Sequence, residues 1–244
     1  MTEFMVLRLT GPLMVFGDVA VDENRPTAQL PSQSMLTGLV ANALGWRARE
    51  GARLNRLQER IVYGARRDRV GETFTDYQNV HIAPGQTMWR FRTTGPLKRG
   101  GLKYDNVQRW RDYVADGAVT VVLALTPEDE PPTLDAVRRA FLRPARPLFL
   151  GRVSCPPSGP LYRGKDVMAS SVPEALALVS SLETPGGDFL AQWPGQGTFS
   201  GVTDTSSRLV ERADLRDWCN DLHQGRRIVA EARLRPEPNR AEEG

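Results

Sequence analysis

The chain has 244 residues, enough for one large domain or two small ones and for a sizeable hydrophobic core. Hydrophobic residues make up 40% and charged residues 25%, which excludes a disordered, a collagen-like and a coiled-coil chain. No apolar run approaches the roughly 18 residues of a membrane-spanning helix, and the start Met1-Thr2-Glu3-Phe4 lacks the basic region of a signal peptide. The two cysteines, Cys155 and Cys219, have no metal-ligand spacing. We therefore expect a protein of the reducing cytoplasm without a metal or another cofactor.

Positive charge is concentrated in two segments, although the net charge of the chain is only +3. Residues 86–111 carry seven basic residues and one acid, and residues 138–165 carry seven basic residues and no acid. Because these segments outweigh the net charge, the rest of the chain is acidic. Such concentration favours a surface for a polyanion such as nucleic acid. The alternative is a fold in which acidic segments neutralise the basic ones through salt bridges.

The first elements in chain order are a strand, a helix and a second strand. Residues 4–10 alternate in polarity and end at Gly-Pro, which predicts a strand with Arg8 on its less apolar face. Apolar residues at helical spacing follow Ser32, so we expect a helix that begins at this N-cap and weakens at Gly45. Residues 60–67 predict the second strand.

A glycine-rich segment, residues 70–104, separates these elements from the next ones and predicts a long hairpin or extended arm. Residues 105–116 have helical spacing, with Trp110 on the buried stripe. Residues 119–125 are a β-branched run typical of a strand, Thr133 is expected to cap a short helix, and residues 147–150 read as the fourth strand.

The predicted order of strands and helices is that of a ferredoxin-like or RRM-type α+β fold, an antiparallel sheet with a protruding hairpin. In such a fold the two helices cover one face of the sheet. RRM-type proteins use the other, open face for single-stranded RNA, and Arg8 would lie on it.

A turn-rich stretch after Cys155 predicts a boundary, so that residues 1–155 form the first domain. Residues 156–235 would form a small β-rich part with short strands at 188–193, 208–212 and 227–234, and residues 236–244 a disordered tail. Residues 175–182 fit either a helix or a strand.

Four short motifs resemble a known family in the same order. They are LRLTGPL at 7–13, RPT at 25–27 with PSQS at 31–34, GLK at 101–103 with QRWRDY at 108–113, and LGRVSCP at 150–156. They resemble the CasD-type proteins of the type I-E CRISPR Cascade complex, over about residues 6–162 of the chain. The C-terminal third carries no comparable motif.

This resemblance implies a RAMP-type fold, which is a modified RRM with a protruding thumb. It implies a non-catalytic, RNA-binding subunit that binds the 5′ handle of the crRNA and caps one end of the complex. The implied protein partners are a CasC-like backbone subunit and a CasA-like large subunit, and target DNA is reached only indirectly through the complex.

Candidate RNA-binding residues in the arm combine cations with an aromatic ring, because single-stranded RNA is bound through phosphates and stacked bases. They are Trp89, Arg90, Arg92, Lys98, Arg99 and Lys103. A solvated hairpin braced by its aromatic residues would have the same composition. Arg109 and Arg111 are further phosphate-binding candidates, and Arg111 could instead pair with Asp112 or Glu72.

Two further candidates are backbone features. Gly151 and Arg152 form a glycine loop in which the backbone could approach RNA and the arginine could grip a phosphate, unless the loop is merely a tight turn. Ser32, Gln33 and Ser34 begin a helix, where free N–H groups favour anions, although capping alone would explain Ser32.

Two other functions stay open on the residues alone. Related RAMP proteins cleave precursor RNA without a metal, and His81, Tyr77, Lys103 and Tyr104 could move protons in such an endoribonuclease. An unrelated α+β interaction domain is the third reading.

Overall fold

The computed structural model describes residues 1–20, 22–82, 105–183, 187–197 and 207–237, with the backbone only at 81, 82 and 105–107. The helices in this part of the chain are α1 (Gln33–Ala43), α2 (Gly51–Arg60), α3 (Leu134–Leu142) and α4 (Val172–Leu178). The strands up to the third helix are β1 (Thr2–Thr10), β2 (Leu13–Met14), β3 (Asn24–Arg25), β4 (Ile61–Arg69), β5 (Glu72–Ile82), β6 (Asp105–Ala115) and β7 (Ala118–Leu125). The later strands are β8 (Tyr162–Ala169), β9 (Phe189–Pro194), β10 (Arg208–Arg212), β11 (Arg216–Asp217), β12 (Leu222–His223) and β13 (Arg227–Leu234).

The largest sheet has seven antiparallel strands in the order β10-β13-β9-β4-β7-β1-β8. Its strands β4, β7, β1 and β8 have the order of a ferredoxin-like sheet, with α1 and α2 between β1 and β4 and α3 between β7 and β8. The predicted α+β fold class is therefore confirmed. The predicted C-terminal strands also exist, and they continue this sheet across the expected boundary at residue 155, which itself stays a prediction.

Apolar side chains pack on both faces of this sheet. Met5, Leu7 and Leu9 of β1 belong to the large core beneath α1, α2 and α3, whereas Phe4 and Val6 belong to a second core beneath α4. The expectation of an open face at β1 is therefore wrong, because α4 covers it. No helix in the described part of the chain is long and apolar enough to span a membrane.

The fourth strand of the ferredoxin-like unit is β8, and the prediction of a strand at residues 147–150 is wrong. Residues 147–150 form a loop, in which the Leu150 carbonyl accepts a hydrogen bond from Val15 N at 2.9 Å. The true strand was hidden by its position, since β8 is an edge strand with exposed polar residues and a glycine at φ +73°, Gly164.

Residues 105–115 form a strand instead of the predicted helix. β6 pairs with β5 along its whole length, so its side chains alternate between two faces of a hairpin. Trp110 stands opposite Tyr77, with ring centroids 5.2 Å apart, and is 36% exposed, so its assignment to the core is also wrong. We call β5, β6 and the chain segment between them the arm; β2 and β3 pair with β6 at its base.

Candidate nucleic-acid interface

One pocket collects most of the predicted site residues that the structure describes. It has a volume of about 650 Å³, within the range of ligand sites, and opens between α1, the glycine loop, the base of the arm and the β11–β12 hairpin. The predicted residues that line it are Ser32, Ser34, Arg109, Gly151 and Arg152. We call it the arginine pocket, because Arg25 and Arg216 line it as well.

Three of these arginines have no ion pair with a described carboxylate. Arg25 donates to the carbonyls of Asp22 and Asn24, and Arg109 donates to the carbonyl of Gln108. Among the described residues, Arg152 likewise contacts carbonyl oxygens and a ring. A guanidinium group bonded to carbonyls keeps its full positive charge, so the pocket wall offers charge to an anion.

Close packing of the glycine loop against the neighbouring chain requires a glycine at position 151. Gly151 has φ +92°, and a Cβ atom there would lie 1.8 Å from the carbonyl oxygen of Val15. The chain therefore needs glycine to close the loop against residue 15, which forms part of the same pocket wall.

The N-terminus of α1 is occupied by the protein itself. Ser32 caps the helix by accepting a hydrogen bond from Met35 N, as predicted, and the carboxylate of Asp214 accepts from Gln33 N at 2.9 Å. The carbonyl oxygen of Asp214 accepts a second hydrogen bond, from Ser34 N at 3.1 Å. The expectation of a phosphate at these amides is wrong, since a carboxylate already satisfies them.

Gln33 is a structural residue rather than a site residue. It is buried, and its amide donates to the carbonyls of Gln58 and Ile61 at 2.7 and 2.9 Å, which ties α1 to the end of α2. Ser32 and Ser34 line the pocket, whereas Gln33 does not.

Arg8 is the second site residue that the structure corrects. Its side chain is 11% exposed and pairs with Asp68 at 3.3 Å, and it also donates to Ser180 O at 2.7 Å. Burial lowers the pKa of the Arg8 guanidinium, while the charge of Asp68 opposes that shift. With its donors used inside the protein, Arg8 is not presented to RNA.

The remaining predictions divide into two groups. Arg111 lies half-buried on β6 opposite Asp76 and does not line the arginine pocket. The six arm candidates Trp89, Arg90, Arg92, Lys98, Arg99 and Lys103 lie outside the described residues, and their roles stay predictions.

One wall of the pocket consists of residues that the sequence did not predict as site residues. The β11–β12 hairpin contributes Arg216, Trp218 and His223. It is held on α2, where Gln58 accepts from Trp218 Nε1 at 3.2 Å and Asn55 accepts from Trp218 N at 2.9 Å. These contacts join residues about 160 positions apart, so no local spacing could reveal them.

Two electrostatic features modify this cationic surface. Three acids, Asp18, Asp22 and Glu23, line the same pocket, and hydrogen bonds from Asn24 lower the pKa of Asp22, which keeps it ionised. Burial, together with the charge of Arg216, lowers the pKa of His223, so this ring is neutral at neutral pH. The pocket therefore has a mixed rim and favours a ligand that carries polar groups as well as anionic ones.

The described residues contain no group of three or more His, Cys, Asp or Glu side chains arranged to hold a metal ion. Of the residues considered for proton transfer, Tyr77 has its ring against Trp110 on the side of the arm away from Arg109. His81, Lys103 and Tyr104 have no described side chains.

Comparisons with known proteins agree with this architecture. Residues 4–230 match the family model of the CRISPR-associated protein (Cas_Cas5). The chain is 30% identical over 221 residues to the CRISPR system Cascade subunit CasD of Escherichia coli (strain K12), and the match covers 89% of this chain and 95% of that protein.

Two solved structures share the fold over almost the whole chain. A chain of a "CRISPR RNA-guided surveillance complex" is 22% identical with a TM-score of 0.66, covering 97% of this chain and 95% of that one. A "Crystal structure of Cas protein" is 26% identical with a TM-score of 0.63, covering 96% and 98%. The family model, the CasD match and the shared fold together establish that this chain belongs to the CRISPR-associated Cas5 family.

Proposed function

We propose that this protein is a non-catalytic RNA-binding subunit of a CRISPR surveillance ribonucleoprotein, and that it binds the 5′ handle of the crRNA in the arginine pocket. The observation that carries the proposal is the convergence of Arg25 and Arg109 on one pocket, where neither has an ion pair with a described carboxylate. Guanidinium groups that keep their charge in a pocket of this size suit the phosphates of a single strand.

The proposed contacts follow from the lining of the pocket. Arg25 and Arg109 meet phosphates, the Ser32 and Ser34 hydroxyls and the backbone at Gly151 supply neutral hydrogen bonds, and Trp218 forms part of the aromatic wall. We expect the arm cations Arg90, Arg92, Lys98, Arg99 and Lys103 to bind further phosphates, and Trp89 to stack on a base.

The assembly role rests on the family. Because the E. coli relative is named a Cascade subunit, we infer that this chain caps a backbone of CasC-like subunits in the cytoplasm. It would also contact a CasA-like large subunit, and it would meet target DNA only through the complex. Co-expression with these subunits should yield a ribonucleoprotein that contains this chain.

The test of RNA binding is a salt titration with synthetic 5′-handle RNA from the repeat of the same system. For single strands, log affinity falls with log salt at about −0.7 per neutralised phosphate. Arg109→Ala and Arg25→Ala should each weaken binding and reduce the magnitude of that slope by about 0.7.

Matched controls come from exposed arginines that the structure shows in ion pairs. Arg235 pairs with Asp188 at 2.8 Å, and Arg139 pairs with Asp135 on α3. Arg235→Ala and Arg139→Ala should leave the slope unchanged. Equal slope losses in controls and pocket variants would show diffuse binding and overturn the proposal.

The same samples test the absence of catalysis. Incubating the protein with full repeat RNA in EDTA should leave the RNA intact. Specific cleavage within the repeat would instead establish a metal-independent endoribonuclease.

A further inference from the structure

We propose that Arg152 is a positioning residue that fixes the arm against the main sheet, and that it acts on RNA through the arm rather than by touching a phosphate. This inference rests on the proposed function, because the arm is expected to carry RNA-binding cations. It changes the role that the sequence suggested for Arg152.

The loop that carries Arg152 is anchored in the core. Leu150 and Cys155 are fully buried, and Leu150 N donates to Cys155 O at 2.8 Å while Cys155 N donates to Arg152 O at 2.9 Å. A third hydrogen bond, from Val15 N to Leu150 O, ties the loop to the segment that follows β2. The backbone of Arg152 is thus held in a closed loop with little freedom.

The guanidinium group of Arg152 reaches from this loop to the base of the arm. Nη1 donates to the carbonyl of Asp112 on β6 at 3.2 Å, and Nη2 donates to the carbonyl of Arg25 on β3 at 3.3 Å. The group also lies 4.8 Å from the ring centroid of Tyr113. Tyr113 is buried and stacks on Phe74 of β5 at 5.5 Å, so one side chain links β3, β6 and β5.

The base of the arm is also held by Tyr113 and Val114, which are buried in the large core, and by two short strand pairings. β2 pairs with β6 at two positions, Leu13 with Ala115 and Met14 with Val114, and β3 pairs with β6 at two positions. Beyond them the arm is a two-stranded ribbon, which alone does not hold a fixed direction. A side chain that bridges β3 and β6 therefore influences the direction of the arm.

The geometry requires arginine. Its planar fork can reach two separate carbonyls while its face packs on a ring, whereas lysine offers a single ammonium group. With two N–H groups on carbonyls and one face on Tyr113, the guanidinium would have to give up these contacts to turn toward a phosphate.

The test is a double-mutant cycle between Arg152→Ala and an arm variant in which Arg90, Arg92, Lys98, Arg99 and Lys103 are all alanine. In the wild-type background, Arg152→Ala should weaken the binding of handle RNA by about tenfold. In the arm variant, Arg152→Ala should weaken RNA binding hardly any further. An arm that already lacks its cations makes no phosphate contacts that a change in its direction could remove. The salt slope of the arm variant should be unchanged by Arg152→Ala, and Arg152→Lys should not restore affinity.

Arg109→Ala is the control, since a direct phosphate contact should weaken binding by the same factor in both backgrounds and lower the slope. The same behaviour from Arg152→Ala would overturn the proposal and make Arg152 a phosphate contact. Failure of wild-type protein to bind handle RNA at all would instead refute the proposed function.

Hydrogen exchange without RNA tests the contacts of Arg152 with the arm independently of binding, and it uses a milder variant in case Arg152→Ala is less stable. Arg152→Gln should speed amide exchange in residues 108–115 of β6 and leave β7 unchanged. Unchanged exchange in β6 would overturn the proposal.

Discussion

Arginines in the seven-stranded sheet and arginines around the pocket have opposite environments. In the sheet, Arg66 and Asp68 are both fully buried and paired at 2.6 Å, and Arg66 also donates to Val179 O at 2.7 Å. Around the pocket, Arg25 and Arg109 contact carbonyls and no described carboxylate. The first kind holds the fold together, and only the second kind is available to a polyanion.

The same distinction applies to the two basic segments of the sequence. In residues 138–165, Arg138 pairs with Glu3 at 2.6 Å and with Asp166 at 3.0 Å, and Arg139 pairs with Asp135. Arg146 donates to Asn42 Oδ1 at 2.9 Å. Two of the seven basic residues of this segment are therefore neutralised by ion pairs, as the salt-bridge alternative anticipated, and a third is hydrogen-bonded within the fold. A count of basic residues overstates the cationic surface.

Removing the acid from the buried network should have the largest effect. Asp68 is fully buried and accepts from Arg66, Arg8 and Thr120, so Asp68→Ala leaves two guanidinium groups without their counter-ion. The free energy of unfolding should fall by about 3–5 kcal/mol in urea titrations.

Asp135→Ala is the comparison on the surface. Asp135 and Arg139 are both more than half exposed, and such pairs contribute little to stability. If the two variants were equally stable, the buried network of Asp68 would not stabilise the sheet.

The glycine loop should give the next largest effect, at the pocket side of the comparison. Gly151→Ala combines a positive φ with a methyl group directed at Val15 O, and should cost about 3 kcal/mol and abolish handle binding. Gly164→Ala, at φ +73° with no atom within 4 Å, carries the strain alone and should cost roughly 1 kcal/mol. Equal thermal stability of the two variants would contradict the packing of the loop.

Local sequence patterns were sufficient to predict elements that are determined by residues close together in the sequence. The β-branched run at 119–125 and the Ser32 and Thr133 caps matched the structure. Because these features act within a few residues, they could be recognised without knowledge of the fold.

The errors arose where distant contacts decide the structure. β6 has apolar residues at helical spacing but pairs with β5, and α2 was not predicted because Leu54 and Leu57 are its few apolar residues among charged ones. At the site, Arg109 and Arg152 were found from their motifs, whereas the Arg216–His223 wall depends on Asn55 and Gln58 of α2. Arg8 fits both a motif and an alternating strand, but only the position of α4 shows that it is buried.

The smallest effect is expected at Glu231, which has features of both regions. It is 3% exposed on β13 and accepts from two partly exposed arginines, Arg208 at 2.8 Å and Arg212. Burial raises the pKa of Glu231, but the hydrogen bonds from Arg212 and Arg208 outweigh it, so the pKa in the folded protein lies below the usual value of 4.5. Since the folded pKa is depressed, the ionised group contributes stability above about pH 4.5, and this contribution is lost as the pH falls through the folded pKa.

Glu231→Gln should therefore lower the free energy of unfolding by about 1–2 kcal/mol at neutral pH, and the difference from wild type should shrink in acid. Urea titrations at neutral and acidic pH measure this, with the exposed Glu211→Gln as the control on neighbouring β10. A difference that grew in acid would mean that Glu231 is destabilising when ionised, and would place it with the unpaired charges of the pocket.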